Sequence, residues 1–415
     1  MDESDPEKAL KLYRQLLERF PDSYAAHFFI GKIYAGQGQL QAAEDEFLKT
    51  IALNSNLEEP RFELIALYTL QGKNEKILKM YKDILAISPR HVRASLELGH
   101  FYQRQGNAGA EPILTELGHR SLTDPRIVRT FVQIFLDPKH YDAATDTVKG
   151  LLKGAPESSD LHYLAGVAYD GKNASVNAIA HFEKVLPDSR FYKSAAVQIA
   201  FLYQDAGKIE AGIRHIQNVI AKFPEDSEMF FYLGTFYEEV EAYDKAVTTF
   251  KKGLQLDPEN PKIYFRIGVV YDKQGHKELS IEAMRKVIDL NPKDPNALNY
   301  LGYTYADLGK NLDEAERLVR EALKYKPNDG YITDSLGWVY FKKGLFENAL
   351  IHLQEAVRLI PDDPTILEHL GDAYIRVNEK EKALDCYHRS LLKKKKETDR
   401  IELEKKIETL TGKGS

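Results

Sequence analysis

The sequence predicts an all-α solenoid, an elongated array of stacked helix pairs around a long, thin core. The first observation is a unit stated twice within residues 295–361, where PNALNYLGYTYADLGKNLDEAERLVREALKYKP is followed by NDGYITDSLGWVYFKKGLFENALIHLQEAVRLIP. Leu301, Gly302, Tyr305, Ala315, Ala322 and Pro327 of the first copy return as Leu336, Gly337, Tyr340, Ala349, Ala356 and Pro361 of the second. The second observation is a tyrosine recurring along the chain, at Tyr34, Tyr68, Tyr102, Tyr169, Tyr203, Tyr237, Tyr271, Tyr305, Tyr340 and Tyr374, with Phe135 at the one missing step. All ten intervals lie between 33 and 35 residues. The third is a small residue three positions earlier, as at Gly31, Gly99, Gly166, Ala200, Gly234, Gly268 and Gly371, a pattern broken by Ile65 and Val132. A self-similar period near 34 residues is about two short helices long and marks a helical solenoid. Small residues let two backbones approach, aromatics fill the gap between helices, and a proline ends each second helix because it cannot continue the ladder.

The unit LGYTYADLG followed by DEAERLVREAL and Pro resembles the tetratricopeptide repeat, whose helix A carries Leu-Gly-x-x-Tyr and whose helix B carries Ala, Phe and Ala before a Pro. The resemblance covers about eleven repeats and implies a right-handed superhelix of stacked pairs. Such a fold is a scaffold, and function has to be argued from a site.

Taken in order, residues 5–21 (DPEKALKLYRQLLERFP) read as a helix B with no helix A before it, Ala9, Tyr13 and Leu16 standing at the Ala, Phe and Ala positions. A half repeat over 1–23 predicts an apolar flank. Either residues from Met1 onward continue a longer precursor, which is the reading preferred, or helix 5–20 caps the array unaided. Residues 24–192 hold repeats one to five. The first two are regular. In the third, Pro112 opens helix B and Gly118 weakens it by about 1 kcal/mol relative to Ala. The fourth keeps Ala144 and Pro156 without the Gly and Tyr of helix A, and in the fifth Pro187 ends helix B early, ahead of Phe191 and Tyr192. These irregularities predict a change of twist or a softer joint within 107–192. Residues 193–397 hold repeats six to eleven, punctuated by Pro224, Pro258, Pro292, Pro327 and Pro361, with one extra residue near Asn311. Residues 398–415 continue helical to about Gly412 and present Leu403, Ile407 and Leu410 as one stripe, which reads as a capping helix. The run Lys393 to Lys396 leaves a site for anionic lipid as the alternative, although acids follow at once.

Composition narrows the function classes. No apolar run reaches the ~18 residues of a membrane span, and no signal peptide is visible. The lone Cys386 excludes an intrachain disulfide and a cysteine-based metal cluster, and it reads as a small packed side chain. Residues 392–415 carry a net +3, leaving −9 for the remainder of a chain whose net charge is −6. An acidic body argues against nucleic acid, which needs basic stripes. The twelve histidines show no ligand spacing, no phosphate-cradling loop follows a strand, and no nucleophile motif occurs. The pairs Glu238–Glu239 and Asp362–Asp363 read as solvated surface charges, turn residues or helix caps. No catalytic residue, cofactor or metal is therefore expected.

What remains is a binding surface. In tetratricopeptide arrays the concave groove is lined by helix A at positions 2, 5, 9, 12 and 13, counting the motif Gly as 8. The resemblance thus implies a groove of Phe231, Phe265, Asn296, Asn299, Tyr303, Tyr331, Asp334, Trp338 and Phe341, preceded by Phe201, with Glu238, Asp272, Asp307, Glu368 and Asp372 as an acidic rim for basic ligands. Trp338, the only tryptophan, is expected as a partly exposed anchor, aromatic rings being typical hot-spot residues; packing between adjacent A helices is the alternative. The carboxylate clamp of chaperone-binding relatives is incomplete, since only Lys262 and Arg266 match it, and the asparagine ladder of sugar-nucleotide transferase relatives is absent. The stretch from LGYTYADLG to HLGDAY is also similar to the C-terminal repeats of bacterial envelope lipoproteins, some of which hold proteins for periplasmic carboxyl-terminal processing proteases. That likeness implies an adaptor with a protein or peptide partner, periplasmic or anchored at the outer membrane, with a cytoplasmic place as the alternative. Self-assembly through the N-terminal edge is the competing expectation.

Overall fold

A computed structural model describes residues 6–137 and 140–411. Among the described residues it contains 24 α-helices and no strand. Contacts divide the chain into two units, Met1–Ala206 and Gly207–Ser415.

In the first unit α1 (Pro6–Arg19) precedes five pairs. They are α2 (Tyr24–Gly36) with α3 (Leu40–Leu53), α4 (Glu59–Leu70) with α5 (Asn74–Ile87), α6 (Val92–Arg104) with α7 (Ala110–Ser121), α8 (Pro125–Phe135) with α9 (Tyr141–Gly154), and α10 (Ser159–Gly171) with α11 (Ser175–Phe182); α12 (Tyr192–Asp205) follows. The second unit opens on α13 (Ile209–Lys222). Its pairs are α14 (Ser227–Glu239) with α15 (Tyr243–Leu256), α16 (Pro261–Lys273) with α17 (Lys277–Leu290), α18 (Pro295–Asp307) with α19 (Leu312–Tyr325), α20 (Gly330–Lys342) with α21 (Phe346–Leu359), and α22 (Pro364–Arg376) with α23 (Lys380–Lys393). The unit closes on α24 (Glu397–Thr411).

Each pair follows from its residues. First helices of these pairs other than α4 start at a side-chain cap: Asp294 Oδ1 accepts the Asn296 and Ala297 amides at 2.9 and 3.0 Å, and Asp226, Asn260, Asp329 and Asp363 do the same for their helices. Asp363 is therefore a cap, as its sequence context implied. The turn between the two helices closes on a left-handed residue, as at Gly275 (φ 81°). The motif glycine then receives a side chain from the second helix; a Cβ on Gly234 would lie 2.4 Å from the Phe250 ring. In several pairs the motif tyrosine ties the pair to the helix before it. Its hydroxyl accepts from the residue twenty positions upstream, Arg14 to Tyr34 at 2.6 Å, Gln217 to Tyr237 at 2.8 Å, Arg285 to Tyr305 at 2.7 Å and Gln354 to Tyr374 at 3.0 Å.

The irregular stretch owes its form to close helix contact. A Cβ on Gly118 of α7 would meet the Leu151 carbonyl at 2.0 Å, and one on Gly154 of α9 would meet the Thr115 carbonyl at 1.9 Å. Gly118, read from sequence as a weak point, is where two second helices come into backbone contact. The first and last described helices differ in burial. Leu12, Leu16 and Phe20 of the α1 region are exposed, Phe20 to 61 %, whereas Leu403 of α24 is buried against Ala383 and Tyr387, with Ile407 and Leu410 beside it. Residues 1–5 and Gly412 lie outside the described residues. In the lysine run, Lys393 pairs with Asp362 at 3.1 Å and Lys394 with Glu368 at 2.7 Å, so half of it holds the last pair together. Cys386 is buried, and burial pushes its thiol up to about 11.

Candidate protein-binding groove

The residues assigned to the groove fall on the first helices of the second unit, α14, α16, α18 and α20, with α22 beside them; Phe201 lies on α12, in the other unit. Phe231, Phe265, Tyr303 and Phe341 are half-buried, Asn296 is exposed, and Tyr331 is 56 % exposed. Phe265 meets Tyr300 edge to face at 6.0 Å, and Phe231 meets Tyr232 likewise at 5.5 Å. Asn296 Oδ1 accepts from Lys326 Nζ at 3.0 Å. Asn299 Oδ1 is buried and has no hydrogen-bond partner among the described residues. Burial, with Asp307, Asp334, Asp272 and Glu368 nearby, pushes the Tyr303 hydroxyl well above its ordinary value, so it remains a neutral donor.

Trp338 departs from expectation. It is only 8 % exposed, its indole stacked between Phe341 (centroids 4.8 Å apart, planes 4° apart) and His369 (4.0 Å, 14°). Lys342 Nζ lies 4.9 Å from the ring centroid. The cause is the next repeat, which places a flat imidazole of α22 on the indole face. His369 is itself held by Asp334, which is buried: Nδ1 lies 3.0 Å from both carboxylate oxygens, and since a carboxylate only accepts, Nδ1 carries the hydrogen. Trp338 is thus a packing residue between adjacent first helices, and Asp334 is the anchor of its cover.

The acidic rim also departs from expectation. Glu238, read as a solvated surface charge, is 3 % exposed and engaged by Arg266 and by Lys273 Nζ at 2.9 Å. Arg266, one of the two clamp-like residues, therefore faces a carboxylate of its own chain. Asp272 accepts from the Tyr300 hydroxyl at 2.8 Å and pairs with Lys277 at 2.7 Å. Glu368 and Asp372 are joined by Lys406 of α24 at 2.9 and 2.7 Å, and those contacts with Lys394 hold the Glu368 carboxyl below its ordinary value against the opposing effect of burial. Asp307 lies 3.9 Å from Lys277. Each of these acids is already matched by an Arg or Lys outside its own helix, so no unpaired carboxylate among them favours a basic ligand. Sequence reasoning missed these partners; only Glu238 with Lys273 and Asp372 with Lys406 stand about one period apart, and the residues at those positions change from repeat to repeat. Among the described residues no group of three or more His, Cys, Asp or Glu is placed to hold a metal ion, and no helix is long and apolar enough to cross a membrane.

Tetratricopeptide-repeat family models match residues 1–57, 241–275, 261–294, 283–317 and 310–401, which together span just over half of the chain. A TPR repeat-containing protein of Pseudomonas aeruginosa, PA4667, is 36% identical over 70 residues, 17% of this chain and 12% of that protein. The human Protein IFIT1 homolog B is 26% identical over 243 residues, 50% of this chain and 51% of that protein. The chain therefore spans about half or less of the length of these relatives. A crystal structure of a tetratricopeptide repeat protein from Parabacteroides merdae aligns with a TM-score of 0.50 at 15% identity, over 61% of this chain and 98% of that one, which supports the fold alone. With the repeated caps, ring-filled glycines and upstream-bonded tyrosines, these matches make the chain a member of the tetratricopeptide-repeat family, whose fold is a scaffold for protein–protein interaction.

Proposed function

We propose that the chain is a non-enzymatic adaptor that holds a segment of a partner protein against the face built by α14, α16, α18, α20 and α22. The observation that carries this reading is Tyr331, 56 % exposed on the same helix as the buried, stacked Trp338, with the half-buried Phe231, Phe265, Tyr303 and Phe341 on first helices of the same unit. Exposed aromatic area on a rigid base is what an interface hot spot needs. With the neighbouring acids matched internally, apolar and aromatic side chains of a partner fit this face better than a basic segment does. The finer reading, an envelope adaptor that presents proteins to a processing protease, rests on the resemblance of the stretch around Leu301 to Tyr374 to such lipoproteins. Photocrosslinking from position 331 identifies the partner, and its affinity for the purified chain is then measured with Tyr331→Ala and Phe265→Ala combined. A loss of about tenfold or more is expected. Unchanged affinity, with crosslinking equally efficient from Ile351 on a second helix, overturns the assignment.

Self-association is a second reading, favoured by the exposed Leu12, Leu16, Phe20 and Phe29. Sedimentation equilibrium tests it: a mass independent of concentration removes it, and a dimer abolished by Phe20→Asp supports it.

A further inference from the structure

The first unit carries a surface of different chemistry. Arg90, Arg93, Arg126 and Arg129 line one recess of about 850 Å³, with Glu58 as its carboxylate. We propose that this recess docks an acidic segment of a protein, gripping its Asp and Glu side chains.

The arginines divide into two kinds. Arg93 and Arg126 are held in place. Arg93 Nε donates to Glu97 at 2.7 Å while its guanidinium lies 4.1 Å from the Phe62 ring centroid, and Arg126 is bidentate on Asp124 at 2.8 Å for both bonds. Their remaining N–H groups, both Nη of Arg93 and Nη1 of Arg126, have no partner among the described residues, so two oriented forks are presented at little further entropic cost. Arg90 and Arg129 are exposed and make no ion pair among the described residues. The Arg90 carbonyl accepts from Arg120 Nη2 at 3.3 Å, which ties the loop down and brings a fifth guanidinium to the same region. The carboxylate of Glu58 is already engaged, accepting from Ser88 Oγ and from His91 Nε2 at 3.0 Å. His91 Nδ1 accepts the Ala94 amide at 3.1 Å, so Nε2 bears the hydrogen and the contact needs no protonation.

With Glu58, Glu97 and Asp124 set against Arg90, Arg93, Arg120, Arg126 and Arg129, the region keeps a net positive charge carried by the unpaired Arg90 and Arg129, and a ligand carboxylate supplies the missing partner while matching the planar guanidinium fork. The rest of the surface selects the kind of anion. The chain is net −6, and these arginines form a single patch instead of a stripe. A nucleic acid needs basic side chains that continue along its phosphates beyond the recess, whereas a short acidic peptide does not.

Fluorescence anisotropy on the full chain tests the site with a labelled peptide of alternating Glu and Ser and its Lys counterpart. The acidic peptide is expected to bind and to weaken with added salt, and the lysine peptide to show no binding. Arg90→Glu with Arg129→Glu is expected to lower the acidic peptide's affinity by about tenfold or more with an unchanged circular dichroism spectrum, both side chains being exposed. Tyr331→Ala, in the other unit, is expected to leave it unchanged, so failure of the groove assignment and failure here are separable. Equal affinity for the two peptides, or full affinity in the double variant, overturns the proposal. So does tighter binding of an oligouridine that the same double variant abolishes, or complete displacement of the peptide by equimolar inorganic phosphate.

Discussion

Single residues in this chain are legible through what their repeat position demands. The turn position filled by Gly275 at φ 81° is filled one repeat earlier by Glu241 at φ 58°. A side chain with a Cβ in the left-handed region costs about 1–2 kcal/mol, and Glu241 is exposed, so nothing packs in return. Glu241→Gly is expected to stabilise the second unit by about 0.5–1 kcal/mol after the larger entropy of an unfolded glycine is allowed for, read as a higher denaturant midpoint. A second residue-level prediction concerns His162 and His181, whose Nδ1 atoms face each other at 3.0 Å. Burial first, and then the neighbouring imidazole, push His181 down to about 4, and burial lowers His162 as well. In the unfolded chain both titrate near ~6.5, so between that value and about 4 the folded form binds fewer protons. Stability is therefore complete above about 6.5 and is lost as pH falls toward 4. Melting temperature followed through this window should fall less steeply in His181→Gln; parallel curves for the two proteins would refute the assignment.

At the scale of elements, the α7–α9 crossing is the feature most sensitive to a single methyl group. A Cβ on Gly154 points at the Thr115 carbonyl, 1.9 Å away, and backbone cannot rotate aside as a side chain can. Gly154→Ala is expected to cost about 1–3 kcal/mol by forcing the helices apart, whereas Gly36→Ala, with nothing within 4 Å, should be neutral or slightly stabilising. Equal urea midpoints for the two variants would show that the crossing tolerates separation. The same crossing marks the limit of what sequence discloses. The helix pairs, their caps and their prolines could be read because the interactions that make them are local and recur with the period. Gly118 could be noticed but not interpreted, since its partner is the Leu151 carbonyl on a helix that is not next in sequence. The proposed groove can be read only to the same depth. The repeat assigns positions to it, Tyr331 and Phe265 among them, but whether a side chain there is open depends on the following repeat. His369 covers Trp338, and Arg266 with Lys273 draws Glu238 inward. Each of these contacts pairs positions that carry different residues in other repeats, so periodicity is silent about them.

Across the whole molecule, each pair buries its apolar side only on its neighbours, so stability is close to a sum over pairs and the interfaces between them. The last pair shows how that sum is closed. Helix α24 lays Leu403 on Ala383 and Tyr387, while Lys406 bridges Glu368 and Asp372 of α22. It thereby stands in for the first helix of a further repeat, supplying both the apolar cover and the charge match that an internal neighbour supplies elsewhere. Leu403→Asp puts a carboxylate into a seat that is wholly buried, at a cost of about 3 kcal/mol. If stability is additive along the stack, that loss stays at the end. Amide hydrogen exchange should quicken in α22 and α23, while α14 to α17, several interfaces away, keep their protection. Uniform loss of protection from α13 to α24 would show instead that the second unit opens as one cooperative body, and the nearest-neighbour account of the array would have to be abandoned.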